Sequence, residues 1–184
     1  MNEGTNNFFN LPNTLTAARI LMVPFYIVAL LYDRFELALG FFVAASVTDL
    51  LDGMTARMRN QFTRFGEILD PTADKLLIMS SFVLFGIFRW VPPWLAVAVL
   101  SRDIIVLCGT IILYFTTGVL TIAVSFLGKL TTMLQFLQLA YILLMLNITG
   151  EPQSPIILHL TVFLVTVLSG VQYVMKGLKL ANAG

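Results

Sequence analysis

Four aspartates within one short stretch are the residues of this chain best suited to chemistry. The stretch runs from residue 49 to residue 74 and reads DLLDGMTARMRNQFTRFGEILDPTAD. Its aspartates are Asp49, Asp52, Asp70 and Asp74. With Glu67, the stretch holds five of the ten acidic residues of the chain. Carboxylates this close together in a mostly apolar protein repel one another and are costly to bury, so a compensating charge must hold them there.

Divalent metal ions would supply that charge. Asp49 and Asp52 are three residues apart at the end of one predicted helix, and Asp70 and Asp74 are four apart at the start of the next, so each pair shares a helix face. Mg²⁺ takes oxygen ligands and binds through a few carboxylates together with substrate phosphates. Two such ions, about 3.5–4 Å apart, would clamp a diphosphate. The sequence therefore predicts two Mg²⁺ (or Mn²⁺) ions on these four aspartates.

Three residues between the aspartate pairs fit the same ligand. Arg57 is placed to pair with phosphate oxygens. Gly53 and Ala56, one helical turn apart, leave a groove in which a ligand can approach the helix backbone closely. The alternative is a solvated acidic helix end, but exposed ends do not need this glycine and alanine spacing, and they seldom begin inside an apolar segment.

Composition indicates the elements that must position these residues. The chain has 184 residues, of which 58% are hydrophobic and 11% charged, with a mean hydropathy of +0.90. Soluble domains carry about 25% charged residues. We therefore expect an all-α integral membrane protein embedded in the lipid bilayer, with residues 1–184 as a single domain of six transmembrane helices. Nucleic acid is not an expected partner, because the basic residues are scattered.

The apolar segments and their flanking signals set the predicted boundaries. Residues 1–14 form a short interfacial segment, and Thr14 is the expected N-cap of the first helix. Asp70 is the expected cap of the third helix, with Pro71 at its first position. Residues 59–69 and 116–128 are predicted loops. The predicted transmembrane helices are Leu15–Tyr32, Leu37–Met58, Asp70–Phe88, Leu95–Phe115, Leu130–Ile148 and Ile156–Met175.

The distribution of basic residues predicts the orientation. Six spans put both termini on one side, and most of the basic residues fall on that side: Arg57, Arg59, Arg64, Lys129, Lys176 and Lys179. Arg34 and Arg89 fall on the other. The positive-inside rule then makes both termini cytoplasmic and opens the aspartate stretch to the cytoplasm. A bacterial inner membrane is the expected location, because residues 1–14 contain none of the arginine that a mitochondrial transit peptide would carry.

The aspartate stretch also carries a resemblance. It matches D-x2-D-G-x2-A-R-x8-G-x3-D-x3-D at all eight fixed positions and so resembles the CDP-alcohol phosphatidyltransferase family of membrane enzymes. The resemblance implies that CDP-diacylglycerol binds with its diphosphate on the metal ions. The hydroxyl of an alcohol acceptor then attacks the phosphorus that carries the lipid, and CMP leaves. It also implies a homodimer.

The resemblance also implies residue roles. Asp49, Asp52 and Asp70 would be chiefly metal ligands, and Asp74 would be the catalytic general base and would also contact a metal. The positions matching the CDP-binding residues are Asp52, Gly53, Ala56, Arg57 and Gly66.

Three further segments resemble the branch of the family that makes phosphatidylglycerophosphate or cardiolipin: LPNTLTAARI near the start, SRD at residues 101–103, and SGVQYVMKG near the end. Arg102 is expected near mid-depth, where a cation is costly unless it meets an anion, and we expect it to bind the acceptor's phosphate. Local pairing with Asp103 is the alternative, but successive helical residues point about 100° apart. Lys129 is the second candidate for acceptor binding.

The sequence leaves two candidate alcohols as the acceptor, glycerol 3-phosphate and phosphatidylglycerol. Phosphatidylglycerophosphate synthases commonly show Gly-Lys-x-Lys-Thr where this chain reads Gly128-Lys129-Leu130-Thr131-Thr132. The missing lysine and Asp103 are similar to cardiolipin synthases of this family, whose acceptor is phosphatidylglycerol. Glycerol 3-phosphate is favoured because those synthases are the commoner members. A divalent-cation transporter is a distant alternative, which gives no reason for the glycine, alanine and arginine spacing.

A few polar residues in the spans have more ordinary interpretations. Arg19 either snorkels to the headgroups or points into a polar cavity. His159 is expected to pack or to form a local hydrogen bond. Gln135 and Gln138 either face the cavity or join helices to each other.

Overall fold

Six α-helices make up the part of the chain that the structure describes. The structure, a computed structural model, describes residues 11–59, 64–117 and 126–181, and it describes the side chains of residues 17–48, 75–110, 112 and 126–178. Within those residues there is no strand, so the all-α prediction is confirmed. The helices are α1 (Leu11–Leu31), α2 (Phe35–Arg59), α3 (Arg64–Ile87), α4 (Pro93–Thr117), α5 (Phe126–Thr149) and α6 (Ile156–Ala181).

The first of two compact units, Met1–Ser80, contains the pair α1 and α2. These two helices pack through aromatic side chains: the ring centroids of Tyr26 and Phe42 are 6.1 Å apart, and so are those of Phe25 and Phe41. Tyr26 and Phe42 are buried, as are small residues that let the two backbones approach. This packing fixes the helix that carries the first aspartate pair.

The turn between α1 and α2 is tight because the helix ends in a left-handed residue. Asp33 has φ 55°, its amide donates to the Leu30 carbonyl at 3.2 Å, and the Arg34 amide donates to the Ala29 carbonyl at 2.8 Å. This pair of hydrogen bonds is the Schellman motif, which ends many helices. Arg89, with φ 60°, ends α3 in the same way.

The second unit, Ser81–Gly184, contains α4, α5 and α6. Helix α6 packs against both α4 and α5. The contact with α4 is close at Gly109, where an added Cβ would lie 2.9 Å from Cε1 of Tyr173. The Tyr173 hydroxyl forms a hydrogen bond with Thr110, which holds the ring in that place. A glycine at this point therefore lets α4 and α6 approach each other.

Three helices are long and apolar enough to cross a membrane, counted over the described residues: Pro93–Thr110, Phe126–Thr149 and Ile156–Leu178. Only 28%, 39% and 22% of these segments are buried inside the protein, so most of their apolar surface faces outward, as in helices that cross a membrane. The chain is therefore a membrane protein. Shorter apolar stretches occur in the other three helices: Ala17–Leu31, Phe35–Thr48 and Lys75–Ile87. The count of six spans stays a prediction.

The predicted starts of α1 and α3 were wrong. Helix α1 begins at Leu11, so Thr14 lies inside the helix and is not its cap; residues 1–10 of the expected interfacial segment lie outside the described residues. Helix α3 begins at Arg64, so Asp70 and Pro71 also lie inside a helix rather than at its start. Proline is a typical first-turn residue, but membrane helices tolerate it in their interior. The signal was therefore ambiguous, and most of the predicted loop at residues 59–69 is helical.

The predicted start of the fifth span was wrong for a related reason. Helix α5 begins at Phe126, so Gly128 and Lys129 lie in its first turns rather than at the end of a loop. Glycine signals a break, yet Gly128 is buried within the helix. Residues 118–125 of that predicted loop lie outside the described residues.

Candidate active site

The eight motif residues lie on two helices that follow each other along the chain. Helix α2 carries five of them in its C-terminal half: Asp49, Asp52, Gly53, Ala56 and Arg57. Helix α3 carries the other three in its N-terminal half: Gly66, Asp70 and Asp74. Their side chains lie outside the described residues, so the convergence of the four carboxylates stays a prediction. Because each aspartate pair lies within a helix, residues three or four apart share one face, as that prediction requires.

The early start of α3 changes the electrostatics of the second aspartate pair. The partial positive charge of a helix N-terminus acts mainly within the first turn. Asp70 and Asp74 lie beyond the first turn of α3, so the helix dipole does little to offset their charge. A bound cation is then the more important source of compensation, and four carboxylates are the oxygen donors that Mg²⁺ prefers. The donor set fits the predicted metal.

No competing metal site appears among the described side chains. Within that part of the chain, no group of three or more His, Cys, Asp and Glu side chains could hold a metal ion. The hydroxyls of Ser46 and Thr48, just before the aspartates on α2, bond to carbonyls of their own helix instead. The aspartate stretch stays the predicted metal site.

Arg102 is held by two helices. It is 9% exposed on α4, and its Nη1 donates to Oδ1 of Asp103 at 2.7 Å. Its Nη2 donates to Oγ of Ser169 on α6 at 3.0 Å. Its Nε is buried without a hydrogen-bond partner among the described residues. The guanidinium is thus oriented by a carboxylate and a hydroxyl, and it still has N–H groups to offer to an anion.

The contact with Asp103 was disfavoured by the sequence reasoning, and that inference was wrong. Neighbouring residues do point apart at their Cβ atoms, but the arginine side chain is long and flexible enough to fold back. Burial favours the pairing, because Asp103 is only 6% exposed and its carboxylate is stabilised by a counter-charge. The pairing does not test acceptor binding, which stays a prediction for Arg102.

Lys129 and Thr131 occupy different environments on α5. Lys129 is exposed in the structure. Thr131 is fully buried, and its hydroxyl donates to the Leu127 carbonyl at 2.7 Å and approaches the Val165 carbonyl of α6 at 3.3 Å. A neutral threonine therefore lies in the contact between α5 and α6, and Lys129 is the basic residue of this segment.

The polar residues in the middle of α5 and α6 join the two helices. Nε2 of Gln138 donates to Nδ1 of His159 at 2.6 Å, and Nε2 of Gln135 donates to Oγ1 of Thr166 at 3.3 Å. His159 is hydrogen-bonded as predicted, although its partner lies on another helix and is not local, and both glutamines connect helices. Arg19 is fully buried and has an interaction partner, so the snorkelling alternative was wrong.

Sequence reasoning missed Ser169. The segment SGVQYVMKG contains it and resembled a family branch, but nothing distinguished this serine from the other small polar residues of the apolar helix. Ser169 is distinguished only by its contact with a buried arginine on another helix, and the order of residues along the chain does not reveal such a contact.

Comparison with known proteins decides the family. The family model for CDP-alcohol phosphatidyltransferase matches residues 9–171, which is most of the chain. The chain belongs to the CDP-alcohol phosphatidyltransferase family. It is therefore an enzyme, which excludes the transporter alternative, and members of this family depend on divalent cations.

Curated relatives are similar to this enzyme over nearly their whole length. A CDP-diacylglycerol–glycerol-3-phosphate 3-phosphatidyltransferase of Bacillus subtilis is 33% identical, over 91% of this chain and 95% of the relative. A protein of the same name from Escherichia coli is 36% identical, over 90% and 93%. A probable phosphatidylglycerophosphate synthase of Mycobacterium tuberculosis is 32% identical, over 96% and 85%. The resemblance found in the sequence is confirmed.

Proposed function

We propose that this enzyme transfers the phosphatidyl group of CDP-diacylglycerol to glycerol 3-phosphate, forming phosphatidylglycerophosphate and releasing CMP. One observation carries the choice of acceptor: relatives that cover at least 90% of the chain, at 33% and 36% identity, are named for glycerol 3-phosphate. The acceptor brings a phosphate monoester, and Arg102 and Lys129 are the cations proposed to bind it.

The reaction needs one proton transfer and one displacement at phosphorus. The hydroxyl of glycerol 3-phosphate attacks the phosphorus that carries the diacylglycerol, and the bond from that phosphorus to the oxygen of CMP breaks. Asp74 accepts the hydroxyl proton as general base. Arg57 binds oxygens of the diphosphate, and CMP leaves with the bonding electrons.

The four aspartates would hold two divalent cations, Mg²⁺ or Mn²⁺, in this reaction. When bound, such ions neutralise the diphosphate and stabilise charge on the attacking and leaving oxygens. Asp49, Asp52 and Asp70 serve chiefly as ligands, and Asp74 also contacts a metal. Asp52, Gly53, Ala56, Arg57 and Gly66 form the surface on which the CDP group lies. Gly53 and Ala56 keep that surface low enough for close approach.

Phosphatidylglycerol is the second candidate acceptor, and Thr131 favours it. A phosphodiester carries one negative charge, whereas a phosphate monoester at neutral pH carries about 1.5 to 2 and gains more from a second cation. The buried threonine supplies no such cation. The product would then be cardiolipin.

Separate acceptor assays distinguish the two candidates. The purified enzyme in detergent with Mg²⁺ and CDP-diacylglycerol receives glycerol 3-phosphate, phosphatidylglycerol, inositol phosphate or serine, and CMP release is measured. We expect release with glycerol 3-phosphate. Release with phosphatidylglycerol alone would replace the proposal with the second candidate, and release with neither would refute both.

The proposal extends to the surroundings of the enzyme. We place it in the cell membrane as a homodimer with six transmembrane helices and both termini in the cytoplasm. The excess of basic residues on the predicted cytoplasmic side supports this orientation. The water-soluble acceptor then reaches the aspartate stretch from the cytoplasm.

A further inference from the structure

We infer that Ser169 is a positioning residue for acceptor recognition, because it fixes the guanidinium of Arg102 in the orientation that binds the acceptor's phosphate. The inference rests on the proposed function and deepens it. It assigns to α6 a part in choosing the acceptor, through a neutral hydroxyl that does not itself carry charge.

The contacts of Arg102 leave it able to bind an anion. A guanidinium has five N–H groups in a fixed plane. Asp103 accepts from Nη1 and Ser169 accepts from Nη2, so three N–H groups are left, including the one on Nε. Nε has no partner among the described residues although it is buried. A phosphate is the kind of ligand that planar, paired N–H groups recognise.

Two contacts from different helices fix more than one contact could. Asp103 is the next residue on the same helix, so its bond alone still lets the guanidinium plane turn about the ion pair. Ser169 is 1% exposed on α6 and binds the other terminal nitrogen. Together they fix the plane, and a fixed plane loses less entropy when a phosphate binds.

The stem of Arg102 lies close to α6 at Gly170, next to Ser169. A Cβ added at Gly170 would lie 3.5 Å from Cγ of Arg102, which is ordinary van der Waals contact. The stem therefore runs alongside α6 next to Ser169. Replacing Ser169 with alanine removes the hydroxyl without adding atoms beside the stem, so the guanidinium should lose its contact with α6 while the stem stays where it is.

Kinetics of the Ser169→Ala enzyme test the inference. The expected result is a KM for glycerol 3-phosphate raised about tenfold, since a hydrogen bond to a charged group is lost. We expect kcat and the KM for CDP-diacylglycerol to stay within about twofold of wild type, because this step of recognition involves only the acceptor. Ser169→Thr, which keeps a hydroxyl, should restore most of the acceptor affinity.

Thr166→Val is the matched control. Thr166 is also a fully buried hydroxyl residue on α6 and also bonds across to another helix, but its partner is the neutral Gln135. Losing a buried hydrogen bond should lower Tm in both variants. In Thr166→Val, however, the KM for glycerol 3-phosphate and the KM for CDP-diacylglycerol should both stay unchanged. If Ser169→Ala left the acceptor KM unchanged, or raised both KM values equally, the inference would be overturned.

The outcome can be told apart from a failure of the proposed function. If the wild-type enzyme used phosphatidylglycerol instead of glycerol 3-phosphate, the proposed function would fail. The same variants would then be measured with phosphatidylglycerol, whose phosphodiester also needs Arg102. If Ser169→Ala were too unstable to purify, Ser169→Cys would replace it, and an unchanged acceptor KM in that enzyme would count against the inference.

Discussion

Single carboxylates are proposed to carry the chemistry, and substitution can test their roles one residue at a time. Asp74 is proposed to accept a proton, whereas Asp49, Asp52 and Asp70 are proposed to hold cations. A variant that keeps the shape of the residue but removes the charge can therefore affect either turnover or metal demand. The exposed acids Asp33 and Glu36 provide matched controls outside the motif.

Asp74→Asn is expected to lower kcat by at least about 100-fold, because general base catalysis typically contributes about 10²- to 10⁴-fold. CMP release from CDP-diacylglycerol measures it, with Asp33→Asn as control, since asparagine tolerates the positive φ of residue 33. Wild-type turnover in Asp74→Asn would show that this carboxylate is not the base.

Metal removal should abolish the activity, and added Mg²⁺ should restore it. Loss of outer-shell partners of a metal site already costs about 10- to 100-fold in metal affinity or activity. We therefore expect Asp52→Asn to raise the Mg²⁺ concentration for half-maximal activity at least about tenfold. Titration of Mg²⁺ after chelation measures this, and Glu36→Gln on the same helix should behave as wild type. Full activity in excess chelator would contradict the metal proposal.

Helices present these residues, and at this scale small residues set how closely they pack. Helices α4 and α6 approach at Gly109, where the Tyr173 ring is held by its bond to Thr110. The same two helices carry Arg102 and Ser169. Close packing at one point therefore supports the contact that orients the guanidinium at another.

Gly109→Ala is expected to be about 1–3 kcal/mol less stable than Gly40→Ala, the usual cost of overpacking, because the new methyl would lie 2.9 Å from Cε1 of Tyr173. Thermal unfolding in detergent measures it. Gly40→Ala is the control, since nothing lies within 4 Å of the added Cβ and alanine favours the helix. Equal Tm values for the two variants would contradict this account of the α4–α6 contact.

The helices themselves could be predicted from the sequence, but several of their ends and their side-chain partners could not. Apolar run length located all six, because a span needs a minimum number of apolar residues. The starts of α3 and α5 were missed because Pro71 and Gly128, which usually mark a helix boundary, lie inside these helices, and the start of α1 was missed because the expected cap, Thr14, also lies inside its helix. The Arg102–Ser169 contact joins residues far apart in sequence, and no periodicity encodes it.

The whole molecule is a membrane enzyme whose family could be predicted from eight spaced residues. That spacing was informative because each position has its own proposed physical demand: charge for the metal, small size for the nucleotide, and an arginine for phosphate. The acceptor could not be fixed in this way, since it depends on a few cations in other helices.

Cysteine labelling tests the orientation of the whole molecule. Cys108 is exposed and is replaced by serine first. A cysteine at the exposed Gln153, between α5 and α6, should react with a membrane-impermeant maleimide in intact cells, whereas Ala183→Cys should react only after the membrane is opened. Labelling of both cysteines in intact cells, or of neither, would contradict six spans with cytoplasmic termini.

A competition between the two acceptors tests the central claim most directly. The enzyme receives CDP-diacylglycerol and Mg²⁺ together with two acceptors at equal concentration, isotope-labelled glycerol 3-phosphate and unlabelled phosphatidylglycerol. Mass spectrometry identifies the lipid product. The account predicts labelled phosphatidylglycerophosphate as the product, and none in the Asp74→Asn enzyme. Cardiolipin as the product, with no label in any lipid, would contradict it.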